Sequence, residues 1–159
     1  MKTQKKSWIQ SLFAYAEGEK KKMLLSVILS VVSVTAGLAL IDTMQSLDCP
    51  VITVGEGVVA SMAAVILACG DHRQVYRHTQ VLIHQLMGGM GMAQQTDIEI
   101  VAQHTAAMRA ELDELLAEHG NLSAQEFHEL TERDCWCNAR RALELGLVDE
   151  VIAPSKKAL

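Results

Sequence analysis

Aromatic residues make up only 4% of the 159-residue chain. Its core must therefore be filled by Ala, Val, Leu, Ile and Met, a composition that suits helices packed on a sheet. Cysteine is scarce too. Cys49, Cys69, Cys135 and Cys137 are too few and too irregularly spaced for a disulfide framework, so a reducing cytoplasm is the default location. Cys135 and Cys137 flank Trp136 as a CxC pair, but no second ligand pair accompanies them, and no metal site is expected. Lysine is nearly missing from the main body. Six of the eight lysines fall in the first 22 residues and the remainder is acidic, under a net charge of -5. That balance argues against nucleic acid as a partner. Neither internal repeats nor a low-complexity linker occurs, and a chain of this length suits one domain with one sizeable core.

Residues 1–32 stand apart as a basic and apolar opening. The stretch WIQSLFAYA from Trp8 reads as a short amphipathic helix for a membrane surface. Lys20, Lys21 and Lys22 then precede an uncharged run from Met23 to Ile41. Taken alone that run is a marginal membrane span with a positive flank. It reads equally as a buried strand over Leu25 to Val34 followed by a helix over Thr35 to Gln45, and periodicity does not separate the two.

The body, residues 33–153, is cleaner, with residues 154–159 as a tail. Val51 to Val54 predicts a strand broken by Gly55 and Gly57, and Ala60 to Ala68 a small-residue helix ending at Gly70. Val75 to Tyr76 and Val81 to Ile83 predict short strands before a glycine-rich stretch. A long helix is predicted from Thr96 to His119, with Ile98, Val101, Met108, Leu112 and Leu115 on one face and acids on the other. Ser123 and Glu126 form a capping box for a helix to about Thr131. A further helix is predicted over Asn138 to Leu145, and Val148 to Ile152 closes as a strand. The pattern is one α/β domain.

Two side chains sit where chemistry is possible. Ser61, in GVVASMAA, falls where a strand turns into a helix, a position that exposes its hydroxyl at a helix N-terminus. His84 ends the apolar run VLIH and can be held rigidly beside a nucleophile. A serine needs a neutral imidazole, and the imidazole needs a carboxylate. Asp134 in TERDCWC is a candidate, although spacing alone does not choose it over Asp71 or Asp97. A serine among alanines is more often a helix cap, and one histidine of six is more often structural. The G-x-S-x-G elbow is not present.

Six segments, in order, resemble the proteolytic subunits of the Clp protease family. TAGLALIDTMQ is similar to their TAGLAIYDTMQ, GVVASMAA to their G-x-A-A-S-M-G-A, and VLIHQLMGG to their M-I-H-Q-P. QQTDIEI, TERDCW and ALELGLVDEVI are similar to their ATDIEI, TERDRF and A-x-E-Y-G-L-V-D-x-I. The resemblance covers roughly residues 33–153. It implies a crotonase-like ββα superhelix with a protruding handle helix. Ser61 would be the nucleophile, His84 the general base and Asp134 its orienting partner, with oxyanion N–H donors at Met62 and Val32. It further implies heptameric rings stacked into a chamber, and an AAA+ unfoldase that hydrolyses ATP and feeds in unfolded proteins. The peptidase itself would use no cofactor or metal.

The opening departs from that pattern. Where the family has S-P-G-G-S-V, this chain has Val31 and Val32 in place of the two glycines. Leu86 and Ala63 are smaller departures, at a family proline and a family glycine. Residues 1–32 resemble the start of an ATP-binding-cassette exporter membrane domain, as though the family's N-terminal part were truncated or replaced. A membrane span would consume Thr35 to Ile41 and unravel the helix that resembles the family's, so the strand is preferred to the span. Two rival readings remain, a crotonase-type acyl-CoA enzyme and a catalytically weak, membrane-anchored remnant.

Overall fold

The computed structural model describes residues 33–88 and 91–153. The expectations for residues 1–32, including Val32, therefore lie outside the described residues. Helix α1 covers residues 33–45, so residues 33 and 34, expected to end a strand, are helical instead. No described helix is long and apolar enough to cross a membrane.

After α1 the order is β1 (Ile52–Gly55), β2 (Val58–Ala60), α2 (Met62–Ala68), β3 (His72–Tyr76), β4 (Gln80–Ile83) and α3 (Gln95–His119). Then follow α4 (Ala124–Leu130), β5 (Cys135–Asn138), α5 (Ala139–Glu144) and β6 (Glu150–Ile152). Each ββα unit contributes its first strand to one sheet and its second to another. One sheet is parallel, in the order β1-β3-β6; the second is β2-β4-β5, with β4 parallel to β2 and antiparallel to β5. This is the α/β superhelix that the sequence implied.

Turn chemistry holds the two units in step. Gly57 takes a φ of 66°, which its missing Cβ permits. Its carbonyl accepts from the Gln80 N–H at 2.9 Å, while the buried Thr79 hydroxyl donates to the Gly55 carbonyl at 3.0 Å. The β3–β4 turn is thereby stitched to the β1–β2 turn. Behind the sheets, Ala64, Leu67 and Ala68 of α2 pack with Val75, Val81, Ile83 and Leu147. Phe127 is the one aromatic among the described buried residues, as the composition requires.

Three expectations change. Strands β2 and β5 were not predicted: three or four residues are too few for alternation to register, although Trp136 is exposed and Cys137 buried, as a strand demands. Helix α2 begins at Met62 rather than Ala60 because Val58–Ala60 pair with β4. The acids of α3 do not all face solvent. Asp113 is buried, and its carboxylate meets His128 Nδ1 at 2.7 Å. The N-terminal half of α3 is largely exposed, Ile98, Ile100 and Val101 included, in keeping with the handle helix that the family resemblance implied.

Arg73 on β3 ties the far side together. Its Nη1 donates to the carbonyls of His119 and Gly146, each at 2.6 Å, and its backbone N–H and Nε donate to Asp149 at 2.8 and 2.9 Å. Hydrogen bonding from the Arg73 side chain holds the Asp149 carboxyl below its ordinary pKa. A carboxyl whose folded pKa is depressed adds stability above its unfolded value, about 3.9, and loses it as pH falls through the folded value. Asp149→Asn should therefore lower the melting temperature by a few degrees at pH 7, and the gap from the parent should narrow at pH 3. Melts at the two pH values check this; an equal gap at both would contradict it.

Candidate active site

The β2-β4-β5 sheet ends at one edge with three polar side chains. Strand β2 pairs with β4 so that Ala60 faces Leu82. Ser61 is the next residue, and its N–H donates to the Leu82 carbonyl at 2.9 Å. Among the described residues it is the sole non-glycine with a positive φ, 59°. Such a conformation costs on the order of 1–3 kcal/mol and persists only where the surroundings enforce it. Here both sides enforce it: the N–H is fixed by β4, and the carbonyl accepts from Ala64 and Val65 in the first turn of α2. The hydroxyl caps no helix donor and Ser61 is exposed. This departs from the common helix-cap role of a serine before a helix.

Met62 opens α2, where its N–H has no carbonyl partner within the helix. Its side chain packs on α1 so tightly that a Cβ on Gly37 would overlap it. A glycine at that point of α1 is what lets the helix approach the Ser61 turn. Val32, the second expected oxyanion donor, lies outside the described residues.

His84 follows β4 directly, and β5 approaches from the other side with Cys135 opposite Ile83. Continuing that antiparallel register by one residue sets Asp134 opposite His84. Among the described residues, however, no hydrogen bond joins Ser61 to His84 or His84 to Asp134. Instead His84 Nδ1 lies 2.6 Å from the Gln85 carbonyl. A carbonyl only accepts, so Nδ1 carries a proton, and in the neutral ring that tautomer leaves the lone pair on Nε2. The exposed Asp134 and half-buried His84 border an open cleft of about 720 Å³, together with residues 85–88 and Glu132. Residues 84–88 are neither helix nor strand.

Sequence reasoning missed Gln85. Its N–H donates to the Thr131 carbonyl at 2.9 Å and its Nε2 to the Glu132 carbonyl at 2.8 Å. These bonds continue the β4–β5 contact past the end of the ladder. No spacing in the sequence signals them.

The family model for Clp protease matches residues 1–155, a span that includes the opening segment. The chain is 40% identical over 149 residues to an ATP-dependent Clp protease proteolytic subunit of Streptococcus sanguinis, covering 92% of this chain and 76% of that protein. The same-named protein of Lactococcus lactis subsp. cremoris is 39% identical over 146 residues, 90% of this chain and 73% of its own length. That of Streptococcus pneumoniae is 40% identical over 147 residues, 91% and 75% respectively.

Two buried thiols, Cys69 and Cys137, are chemically quiet. The Cys135 and Cys137 sulfurs sit 3.7 Å apart on one face of β5. Burial, then the neighbouring Cys135, pushes the Cys137 thiol up to about 12, and burial pushes Cys69 up to about 11. At pH 8 such pKa values leave thiolate at about one part in ten thousand and one in a thousand, and the thiolate is the nucleophile. Iodoacetamide at pH 8 should alkylate the exposed Cys49 of the folded chain but spare Cys69 and Cys137 until guanidinium unfolds it. Mass mapping checks this, and rapid folded-state alkylation of Cys137 would contradict it.

Proposed function

The chain belongs to the Clp protease family, and from that premise we propose that it hydrolyses peptide bonds with Ser61 as nucleophile, His84 as general base and Asp134 as orienting carboxylate. Its enzymatic class is serine endopeptidase, that of the proteolytic subunits. The observation that carries the residue assignment is the register of β4, which has Ser61 beyond one neighbouring strand and Asp134 before the other.

The chemistry follows from that edge. The Ser61 proton passes to Nε2 of His84 as the oxygen attacks the substrate carbonyl. Negative charge then grows on the substrate oxygen, and the Met62 N–H is one donor for it, with Val32 the second. The imidazolium gives its proton to the leaving amine, and water repeats the sequence on the acyl-enzyme. With Nδ1–H on the Gln85 carbonyl, a dipole alone balances the imidazolium. Transfer of that N–H to Asp134 supplies a full negative charge, so the productive state is one in which His84 turns from Gln85 to Asp134.

The relatives' names carry ATP dependence, while the proposed site uses only side chains and backbone. ATP is accordingly consumed by a partner, an AAA+ unfoldase that delivers unfolded proteins in the cytoplasm. Homo-oligomeric assembly into stacked heptameric rings would cover the exposed Ile98, Ile100 and Val101 of α3.

Ser61→Ala is expected to abolish hydrolysis of a fluorogenic peptide while leaving particle size unchanged on gel filtration. Unchanged hydrolysis would overturn the assignment. The Val31–Val32 pair gives a second test, because valine resists backbone conformations that glycine adopts. One missing oxyanion donor costs on the order of 3 kcal/mol, or about a hundredfold in rate. Val31→Gly combined with Val32→Gly should raise kcat more than it changes KM, and no rise in kcat would contradict a defect at that donor.

A further inference from the structure

Beyond Ile83 and Cys135 the β4–β5 ladder stops, and the segments that carry His84 and Asp134 run on without it. Arg109, on the base of the handle helix α3, lies across that gap. Its Nη1 donates to Gln85 Oε1 at 3.1 Å, and its Nη2 donates to the His128 carbonyl at 3.0 Å and to Glu132 Oε2 at 3.1 Å. Gln85 adjoins His84 and holds its Nδ1–H through the backbone carbonyl. Glu132 stands two residues before Asp134 and receives the Gln85 amide on its own carbonyl. A single planar guanidinium thus grips both segments at once, a geometry that a lysine's point charge does not reproduce.

We propose that Arg109 is a positioning residue for the peptidase reaction: through Gln85 and Glu132 it sets the distance between the His84 and Asp134 segments and links that distance to the handle helix. This rests on the assignment of His84 and Asp134 made above. Not all of the Arg109 side chain is used for stability. Its side chain is only 17% exposed, and its Nε is buried with no hydrogen-bond partner among the described residues, which offsets part of what its other hydrogen bonds contribute. Its Glu132 partner is 57% exposed, so solvent weakens that ion pair. What Arg109 does accomplish is geometric. It lines the cleft of about 470 Å³ between α3 and residues 85–88, and the Gln85–Leu86 wall of that cleft is also a wall of the one beside His84 and Asp134.

The test uses the full chain and the variants Arg109→Met, Gln85→Met and the double substitution, assayed on a fluorogenic peptide. Arg109→Met preserves length and apolar bulk but removes every donor. The expected result is a fall in kcat between about tenfold and a hundredfold, as small misplacements of catalytic groups produce, with KM changed by less than about threefold. Acylation of Ser61 by a fluorophosphonate should slow in parallel. Because Arg109 acts through Gln85, the double variant should be little worse than the poorer single one. A kcat within about twofold of the parent, a loss confined to KM, or fully additive effects would each overturn the proposal. If Arg109→Met fails to fold, as judged by circular dichroism and particle size, Gln85→Met approaches the same contact from the other end and decides by the same kcat criterion. Ser61→Ala run alongside separates the two readings. Full activity in that variant refutes the triad itself, whereas an inactive Ser61→Ala beside an unaffected Arg109→Met refutes only the positioning role.

Discussion

Everything at the candidate site depends on how β4 is paired. A strand joined to one parallel and one antiparallel neighbour has both registers fixed by backbone hydrogen bonds, and a slip of one residue on either side would turn its side chains to the opposite face. Val81 and Ile83 are buried completely or almost so, which makes such a slip expensive. The position of His84 is therefore set by the hydrophobic effect acting on its predecessors. The same pairing fixes the Ser61 N–H on the Leu82 carbonyl, and with it the unusual backbone that lifts the hydroxyl out of the helix. Burial and ladder together hold a strained residue in place.

The rest of the molecule supports that edge from a distance. Arg73 binds the end of α3, the turn after α5 and the start of β6, so that the handle helix is anchored at its C-terminal end while its other half stands in solvent. Arg109, further along α3 toward that exposed half, meets the His84 and Asp134 segments. One helix thus carries both an anchor to the body and a grip on the candidate site, and movement of the exposed half has a physical route to the His84 and Asp134 segments. Asp113 and His128 add a partly buried contact between α3 and α4 on the same path.

Much of this was legible in the sequence, and the remainder was hidden for identifiable reasons. The capping box at Ser123 and Glu126 is present with both of its hydrogen bonds, because capping is local chemistry that the chain encodes within four residues. The long helix and the strands around Val54, Val75 and Ile83 followed from apolar spacing. Strands β2 and β5 did not, because three or four residues carry no measurable period and their pairing is decided by partners distant in sequence. Ser61 and His84 drew attention by position. Asp134 could not be chosen from other acids by spacing, since its place opposite His84 arises from the unpredicted β5. Gln85 and Arg109 left no trace, as nothing local distinguishes a bridging side chain from a solvated one.

The most direct measurement is the site of covalent labelling by a fluorophosphonate, which reports a serine activated by a neighbouring base. Incubation of the full chain with the probe, followed by proteolysis and mass mapping, is predicted to give a single adduct on Ser61, with labelling at least about a hundredfold slower in His84→Ala. An adduct on another serine, or Ser61 labelling that proceeds unchanged without His84, would contradict the account.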